Sequence, residues 1–301
     1  MIGFREPGYL WKIPNIPFVW GPVGGLKQFP VAYLQQSGLK MNVFNRIKNG
    51  INSWQITHDR RVKQALFRAK LLISSIPDSY NAIKKSHKLE SIIIPETGCF
   101  LPDHLAFNDS RFQQTNFDIM WVGKFDFRKQ LEIALRTIAA LKQLDGLKLH
   151  ICGTGTENQI AYYQQLASEL DINEQIEWCG TISNQEIFKM MQKSHLFFFT
   201  SASDDTSTVV LEAISCCLPI LCFDACGFGY VVNEKVGIKI PLSNPQQSAR
   251  EFAEKIAYLY NHRDLLQAMS HNCIERQQEL SWDNKAKQMA ELYEQATGMC
   301  Q

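Results

Sequence analysis

Two carboxylates, Asp204 and Glu212, with seven residues between them, sit in the segment TSASDDTSTVVLEAISCCLPILCFDACGFG (200–229). The segment reads as an apolar strand, a polar loop, a helix carrying Glu212, a second strand and a glycine-bearing turn. That order gathers backbone N–H groups, hydroxyls and carboxylates at one end of a sheet, where nucleotides bind. Glu212 lies within VVLEAIS, and burying a carboxylate without a partner there is costly. Ligand hydroxyls would offset that cost. Thr206, Ser207 and Thr208 add hydroxyls and N–H groups where a helix N-terminus would receive phosphate. The structural alternative has Asp204 and Asp205 capping a helix that starts near Thr206 or Ser207, with Glu212 exposed.

Three further motifs could serve the same ligand. In VGKFDFRKQ, Lys124 falls at the end of a strand and Lys129 near the start of the next helix. Two cations there would neutralise a pyrophosphate, assisted by the helix dipole. Left unliganded, they are simply solvated lysines. In HICGTGTE, Gly153 and Gly155 follow a strand and form either a tight turn or a close approach to a ligand. WGPVGGLKQFP (20–30) is glycine-rich but does not fit the P-loop pattern. Gly24 and Gly25 within it read as a turn or as a binding loop.

From residue 118 onward, apolar runs alternate with amphipathic helical stretches. The runs are 119–124, 147–152, 176–179, 196–200, 219–223 and 236–241. Leu131, Leu135, Ile138 and Leu141 recur at helical spacing. Strands apolar throughout and separated by such helices indicate a parallel sheet covered on both faces. Residues 245–297 then read as three helices. Before 118 the pattern is less regular, with strands expected only in IPFVW, AKLLISS and SIIIPETG. Residues 39–70 carry eight lysines and arginines against Asp59 alone.

At 301 residues the chain has room for two domains. It is 45% hydrophobic and 20% charged, with a net charge of +1, which gives no case for nucleic-acid binding. No apolar run approaches the roughly 20 residues of a membrane span, and Glu6 and Pro7 interrupt the place of a signal-peptide core. The reading is a cytoplasmic protein. The basic 39–70 stretch is either a solvated helical face or a patch for peripheral contact with the inner face of a membrane. The nine cysteines form no CxxC pair and read as free, mostly buried thiols rather than a metal site.

The acid–x7–Glu segment, the VGKFDFRKQ element and WGPVGG together resemble the retaining glycosyltransferases of family 4 (group 1). That resemblance implies an α/β, GT-B-like fold of two Rossmann-like domains, the N-terminal one incomplete. The division expected is 1–113 for the partial acceptor-side domain and 114–281 for the nucleotide-sugar-binding domain. A final helix (282–301) would pack back toward the first. By resemblance, Lys124 and Lys129 hold the donor diphosphate and Glu212 the ribose, while Asp204 contacts the sugar near the reacting centre. Gly153 and Gly155 approach the base, and Gly24 and Gly25 face the acceptor.

This sequence departs from the family pattern at four points. Lys124 stands for Arg, Gln130 for Gly, Asp204 for a Glu one methylene longer, and Asp205, Thr206 and Ser207 where GFG is common. The CG at 226–227, in DACGFGYVV, belongs to a subgroup that also carries WGPVGG, and Gly227 and Gly229 are expected to shape a turn. Members have further βα units, including a catalytic histidine, before the segment matching FREPGYLWK. His58 and His104 remain as replacements for it.

The implied activity is transfer of a sugar from a nucleoside-diphosphate sugar to a glycan or lipid-linked acceptor, with no metal and no other cofactor. The competing readings are a truncated, non-catalytic or partner-dependent nucleotide-sugar-binding fragment, and a sugar-nucleotide epimerase on the same fold.

Overall fold

The structure, a computed structural model, describes residues 2–101 and 107–298. The N-terminal part is built from β1 (Ile2–Gly3), β2 (Val19–Gly24), α1 (Gly38–His58), α2 (Arg60–Arg68), β3 (Leu71–Ser74), α3 (Pro77–His87) and β4 (Ile92–Ile93). Its strands form one parallel sheet in the order β1-β2-β3-β4. The sheet has one strand more than expected, because the two residues of β1 leave no periodicity to read. The WGPVGG element is also strand rather than turn. β2 runs through it with a register shift between Trp20 and Val23. Only Gly25, in the left-handed region at φ +85°, lies past its end.

The larger part follows the alternation read from the sequence. Its elements are β5 (Phe117–Val122), α4 (Leu131–Ala139), β6 (Leu147–Cys152), α5 (Glu157–Glu169), β7 (Ile176–Gly180), α6 (Asn184–Lys193), β8 (Leu196–Phe199), α7 (Thr208–Ser215), β9 (Ile220–Phe223), α8 (Cys226–Val231) and β10 (Gly237–Ile240). All six strands are parallel, in the order β10-β9-β8-β5-β6-β7. The chain winds outward from β5 to β7, then returns to β8 and winds the other way. The connections leaving β5 and β8 run to opposite edges of the sheet, and a crevice opens at the carboxyl ends of these two strands. Phe197, Phe198 and Phe199 are fully buried in β8, as the near-continuous apolar run requires.

Helices α9 (Pro245–Asn261), α10 (Arg263–Glu279) and α11 (Trp282–Thr297) complete the chain. Phe252 of α9 packs at 4.9 Å from the rings of both Phe198 and Phe223. Leu292 of α11 instead joins Ile73 and Ile94 on the N-terminal sheet. The buried Lys285 of α11 donates to the carbonyls of Pro95 (2.8 Å) and Thr97, fastening α11 to the segment that follows β4. In the opposite direction, Phe29, Tyr33 and Leu34 enter the core of the larger part. The two parts thus exchange anchors.

α8 occupies the stretch expected to be a turn. A Cβ on Gly227 would lie 2.3 Å from Thr206 Oγ1, so the glycine lets α8 press against the Thr206 loop. The eight described cysteines are free and most are buried, with burial pushing the Cys99 thiol up to about 11.

His195 is fully buried, with Nε2 donating to Arg111 O (2.6 Å) and Nδ1 accepting from Asp118 N (3.0 Å). Burial above all lowers it from 6.5 to about 4. On acidification the unfolded chain takes this proton first, so stability is full above about pH 7 and falls as pH drops toward 4. Up to about 3 kcal/mol is at stake. Urea unfolding at pH 7.5 and 4.5 should show a larger loss for the wild type than for His195→Gln. Equal losses would assign the acid sensitivity to other groups.

Candidate active site

The loop after β5 (123–130) and the loop after β8 (200–207) meet over the crevice. Ala202 N donates to Arg128 O (2.8 Å), and Thr200 Oγ1 donates to Lys129 O (2.7 Å). The loops are joined at their tips by Lys129 Nζ and Asp204 Oδ2, 2.6 Å apart. Burial pushes the Asp204 carboxyl up. Lys129 first, then Lys27 and the N–H of Asp205, outweigh it and hold the group below its ordinary range. Asp204 is therefore an anion with a fixed cation, at the switch point of the sheet.

Gln130, at the N-cap position just before α4, lies in the left-handed region at φ 52°. This conformation accounts for the glycine that the resembling family carries there. Gln130 is buried and donates to Tyr33 O (3.1 Å) and Phe127 O (2.6 Å), contacts a glycine could not make. Lys124, by contrast, is exposed just beyond β5 and makes no ion pair among the described residues.

The capping alternative for the acids does not hold. α7 begins at Thr208 with Ser207 at its N-cap, and no side chain caps it. Thr206 is instead engaged by a residue the sequence reading did not single out. Its N–H donates to Glu96 Oε1 (2.9 Å) and its hydroxyl to Glu96 Oε2 (3.2 Å). Lys27, just past Gly25, reaches Asp205 at 2.8 Å. Their sequence signals were only a carboxylate in IPETG and a cation following GG. Ser207 is buried, while Thr208 is exposed in the first turn.

Glu212 lies one turn further along α7, half-buried and with no hydrogen-bond partner among the described residues. Burial raises its carboxyl above the ordinary range. With Thr208, Cys99, Phe100 and Phe188 it lines a cavity of about 270 Å³. This unpartnered carboxylate matches the cost inferred from VVLEAIS, and it is not part of the Lys129–Asp204 contact.

Gly153 and Gly155 are explained by packing. A Cβ on Gly153 (φ 146°) would lie 1.8 Å from Gly123 O, and one on Gly155 2.8 Å from Phe125 Cβ. They keep the β6 loop tight against the Lys124 loop. Gly24 is within β2, and its carbonyl accepts from Phe4 N (3.2 Å). His58 is exposed and stacks on Trp54, away from these groups, and His104 lies outside the described residues.

One group of metal-ligating type is brought together elsewhere among the described residues. His150, Glu177 and Cys179 place donor atoms within 4.8 Å of one another. His150 lies between Asp118 (2.8 Å) and Glu177 (3.0 Å), bridging side chains of β5, β6 and β7.

Two facing parallel α/β sheets, with paired charges where the second sheet changes direction, define a GT-B architecture. Solved structures agree in fold. Sucrose-phosphate synthase from Thermosynechococcus elongatus superposes with a TM-score of 0.66 at 19% identity, covering 97% of this chain and 70% of that one. Anabaena HepE in complex with UDP gives 0.63 at 16% identity, covering 85% and 77%.

Residues 104–279 match the family of glycosyl transferases group 1, and the chain belongs to that family. Among curated relatives, an uncharacterized glycosyltransferase of Methanocaldococcus jannaschii is 21% identical over 182 residues, 60% of this chain and 45% of its own. The D-inositol 3-phosphate glycosyltransferase of Corynebacterium urealyticum is 26% identical over 183 residues, 58% of this chain and 42% of its own. The chain thus spans less than half the length of these relatives.

Proposed function

We propose that the protein is a retaining glycosyltransferase, moving a sugar from a nucleoside-diphosphate sugar to a glycan or lipid-linked acceptor without a metal ion. The observation that carries this is the Lys129–Asp204 pair at the switch point, with Lys124 exposed on the same loop as Lys129. Lys124 and Lys129 face the diphosphate and stabilise the charge that develops as the sugar leaves. Asp204 stays ionised through Lys129 and approaches the sugar. Glu212 takes the ribose hydroxyls that its half-buried carboxylate lacks. Thr208 and Ser207 lie beside the phosphates, and a phosphate reaching Thr206 displaces Glu96. Gly153 and Gly155 shape the wall near the base. With no enzymic nucleophile assigned, the acceptor hydroxyl attacks on the face the leaving group departs from.

HepE has been solved with UDP-glucose, so a UDP-sugar is the first donor to try. Proton NMR of the product formed from an α-linked donor tests the proposal. An α-linked product in the presence of EDTA is expected. An inverted product, or transfer abolished by EDTA, would overturn the corresponding part. Nucleotide binding with no transfer to any acceptor would favour the partner-dependent fragment, in which the donor loop keeps its internal pairing to Glu96 and Lys27.

Peripheral membrane contact has its own support. The described helices include none long and apolar enough to cross a membrane. α1, however, exposes Phe44, Ile47, Ile51 and Trp54 along one face, flanked by Lys40 and Arg46. An exposed apolar stripe beside clustered cations suits an anionic lipid surface. Co-sedimentation with phosphatidylglycerol vesicles should fall at least fivefold in Phe44→Ser/Trp54→Ser. Unchanged retention would return the stripe to another role.

A further inference from the structure

The acceptor side of the cleft carries a charge imbalance that the donor site does not use. Gly25 and Lys27 extend from the end of β2, Arg5 and Glu6 follow β1, and α1 lies beside them with Lys48. Together they line a cavity of about 530 Å³. Arg128, on the loop after β5, acts on Lys48 from across the cleft. Lys27 is matched by Asp205 and Arg128 by Asp126, each at 2.8 Å. Among the described residues, Arg5 and Lys48 have no carboxylate within ion-pair distance. Glu6 is the single acid among the described residues of the lining.

The cavity wall is tied together from inside. Asn52 of α1 is 2% exposed, with its Oδ1 accepting from the Arg5 guanidinium and its Nδ2 donating to Gly25 O (3.3 Å). One buried amide therefore fixes a cation and the left-handed glycine relative to each other. Partial burial first, then Arg5, Lys27 and Arg128, outweigh the carboxylate of Asp205 and hold the Lys48 ammonium below its ordinary range. Like charges gathered this closely are relieved by an anion among them. A phosphate, with several acceptor oxygens, can bridge the Arg5 guanidinium and the Lys48 ammonium, which no carboxylate of the described residues does.

We propose that this cavity binds a phosphate group of the acceptor, so that the sugar is transferred to a phosphorylated molecule. The word acceptor rests on the glycosyltransferase reading; the phosphate site itself does not. The Lys27–Asp205 contact links the cavity wall to the residue next to Asp204. A bound phosphate is thereby set beside the reacting centre, and an acceptor hydroxyl a few bonds away reaches the sugar. The phosphate could belong to a soluble phosphorylated sugar or to a lipid headgroup.

Calorimetric titration of the full chain at low ionic strength, with UDP saturating, separates these cases. The probes are glucose 6-phosphate, glucose and dihexanoyl phosphatidic acid. At least one phosphorylated probe should bind and glucose should not; the one that binds tells a soluble acceptor from a lipid. Lys48→Gln and Arg5→Gln should each weaken that binding tenfold or more, and Lys48→Arg should restore most of it. Both side chains are exposed, and thermal unfolding checks that the variants remain folded. Failure of the wild type to bind either phosphorylated probe would overturn the proposal, as would binding indifferent to both substitutions. UDP titrated alone reports on the donor reading separately, since its absence would sink that reading and leave the phosphate result standing.

Discussion

Lys124→Met is expected to lower sugar transfer by about 10²–10³-fold, the scale seen when one group stabilising a transition-state anion is lost. Stability should change by less than about 0.5 kcal/mol, because Lys124 is exposed and makes no ion pair among the described residues. The loss should fall on kcat more than on KM if the lysine acts on charge that develops only as the bond breaks. Lys129→Met should lower transfer at least as far, but its effect is mixed. It also removes the cation that holds Asp204 ionised, leaving a mostly buried carboxylate without its partner at 2.6 Å. The contrast between the two variants is informative. Steady-state kinetics with a UDP-sugar, set beside urea unfolding, measures both. Parallel losses of activity and stability in Lys124→Met would remove that lysine from the chemistry.

The largest effect on stability is expected at Arg111. This side chain is 2% exposed and has no acidic partner among the described residues. It donates to the carbonyls of Met191 (3.3 Å), Gln192 (3.1 Å), Ser194 (2.9 Å) and Cys217 (2.6 Å), and to Ser270 Oγ (2.8 Å). These acceptors end α6, close the turn after α7 and belong to α10, so one guanidinium joins three helices. Arg111→Met keeps the apolar bulk and strands the carbonyls. A cost of about 3–5 kcal/mol follows from buried acceptors left unpaired, which is roughly 10 °C in Tm for a domain of this size. Differential scanning calorimetry checks it. A shift under about 3 °C would mean that water replaces the guanidinium.

The second half of the chain was legible because its strands are apolar on both faces. LFFF and ILCF carry no alternation, and amphipathic helices fall between them at regular intervals. The N-terminal half resisted for physical reasons. β1 is two residues long, and β2 runs through Gly21, Pro22 and Gly24, residues that ordinarily signal turns. α8 was hidden in the same way, since Gly227 serves a contact with Thr206 rather than a turn.

The site divides similarly. Asp204, Lys129 and Glu212 stand out because each carries charge beside a strand end or among apolar neighbours. Glu96 and Lys27 lie 110 and 178 positions from their partners. Only the docking of one sheet against the other brings them together. The cluster of Arg5, Lys27, Lys48 and Arg128 draws on four elements and leaves no local pattern. Within the basic 39–70 stretch, Lys48 lines the cleft while Phe44 and Trp54 face outward.

The central claim is that the crevice above β5 and β8 holds a donor nucleotide between the lysine pair and Glu212. Calorimetric titration of the wild type with UDP, GDP and ADP, repeated with Lys129→Met and Glu212→Gln, tests it most directly. Saturable one-to-one binding of one of these nucleotides is predicted, weakened at least tenfold by either substitution. A wild-type protein that binds none of the three, or binding that both variants leave intact, would contradict it.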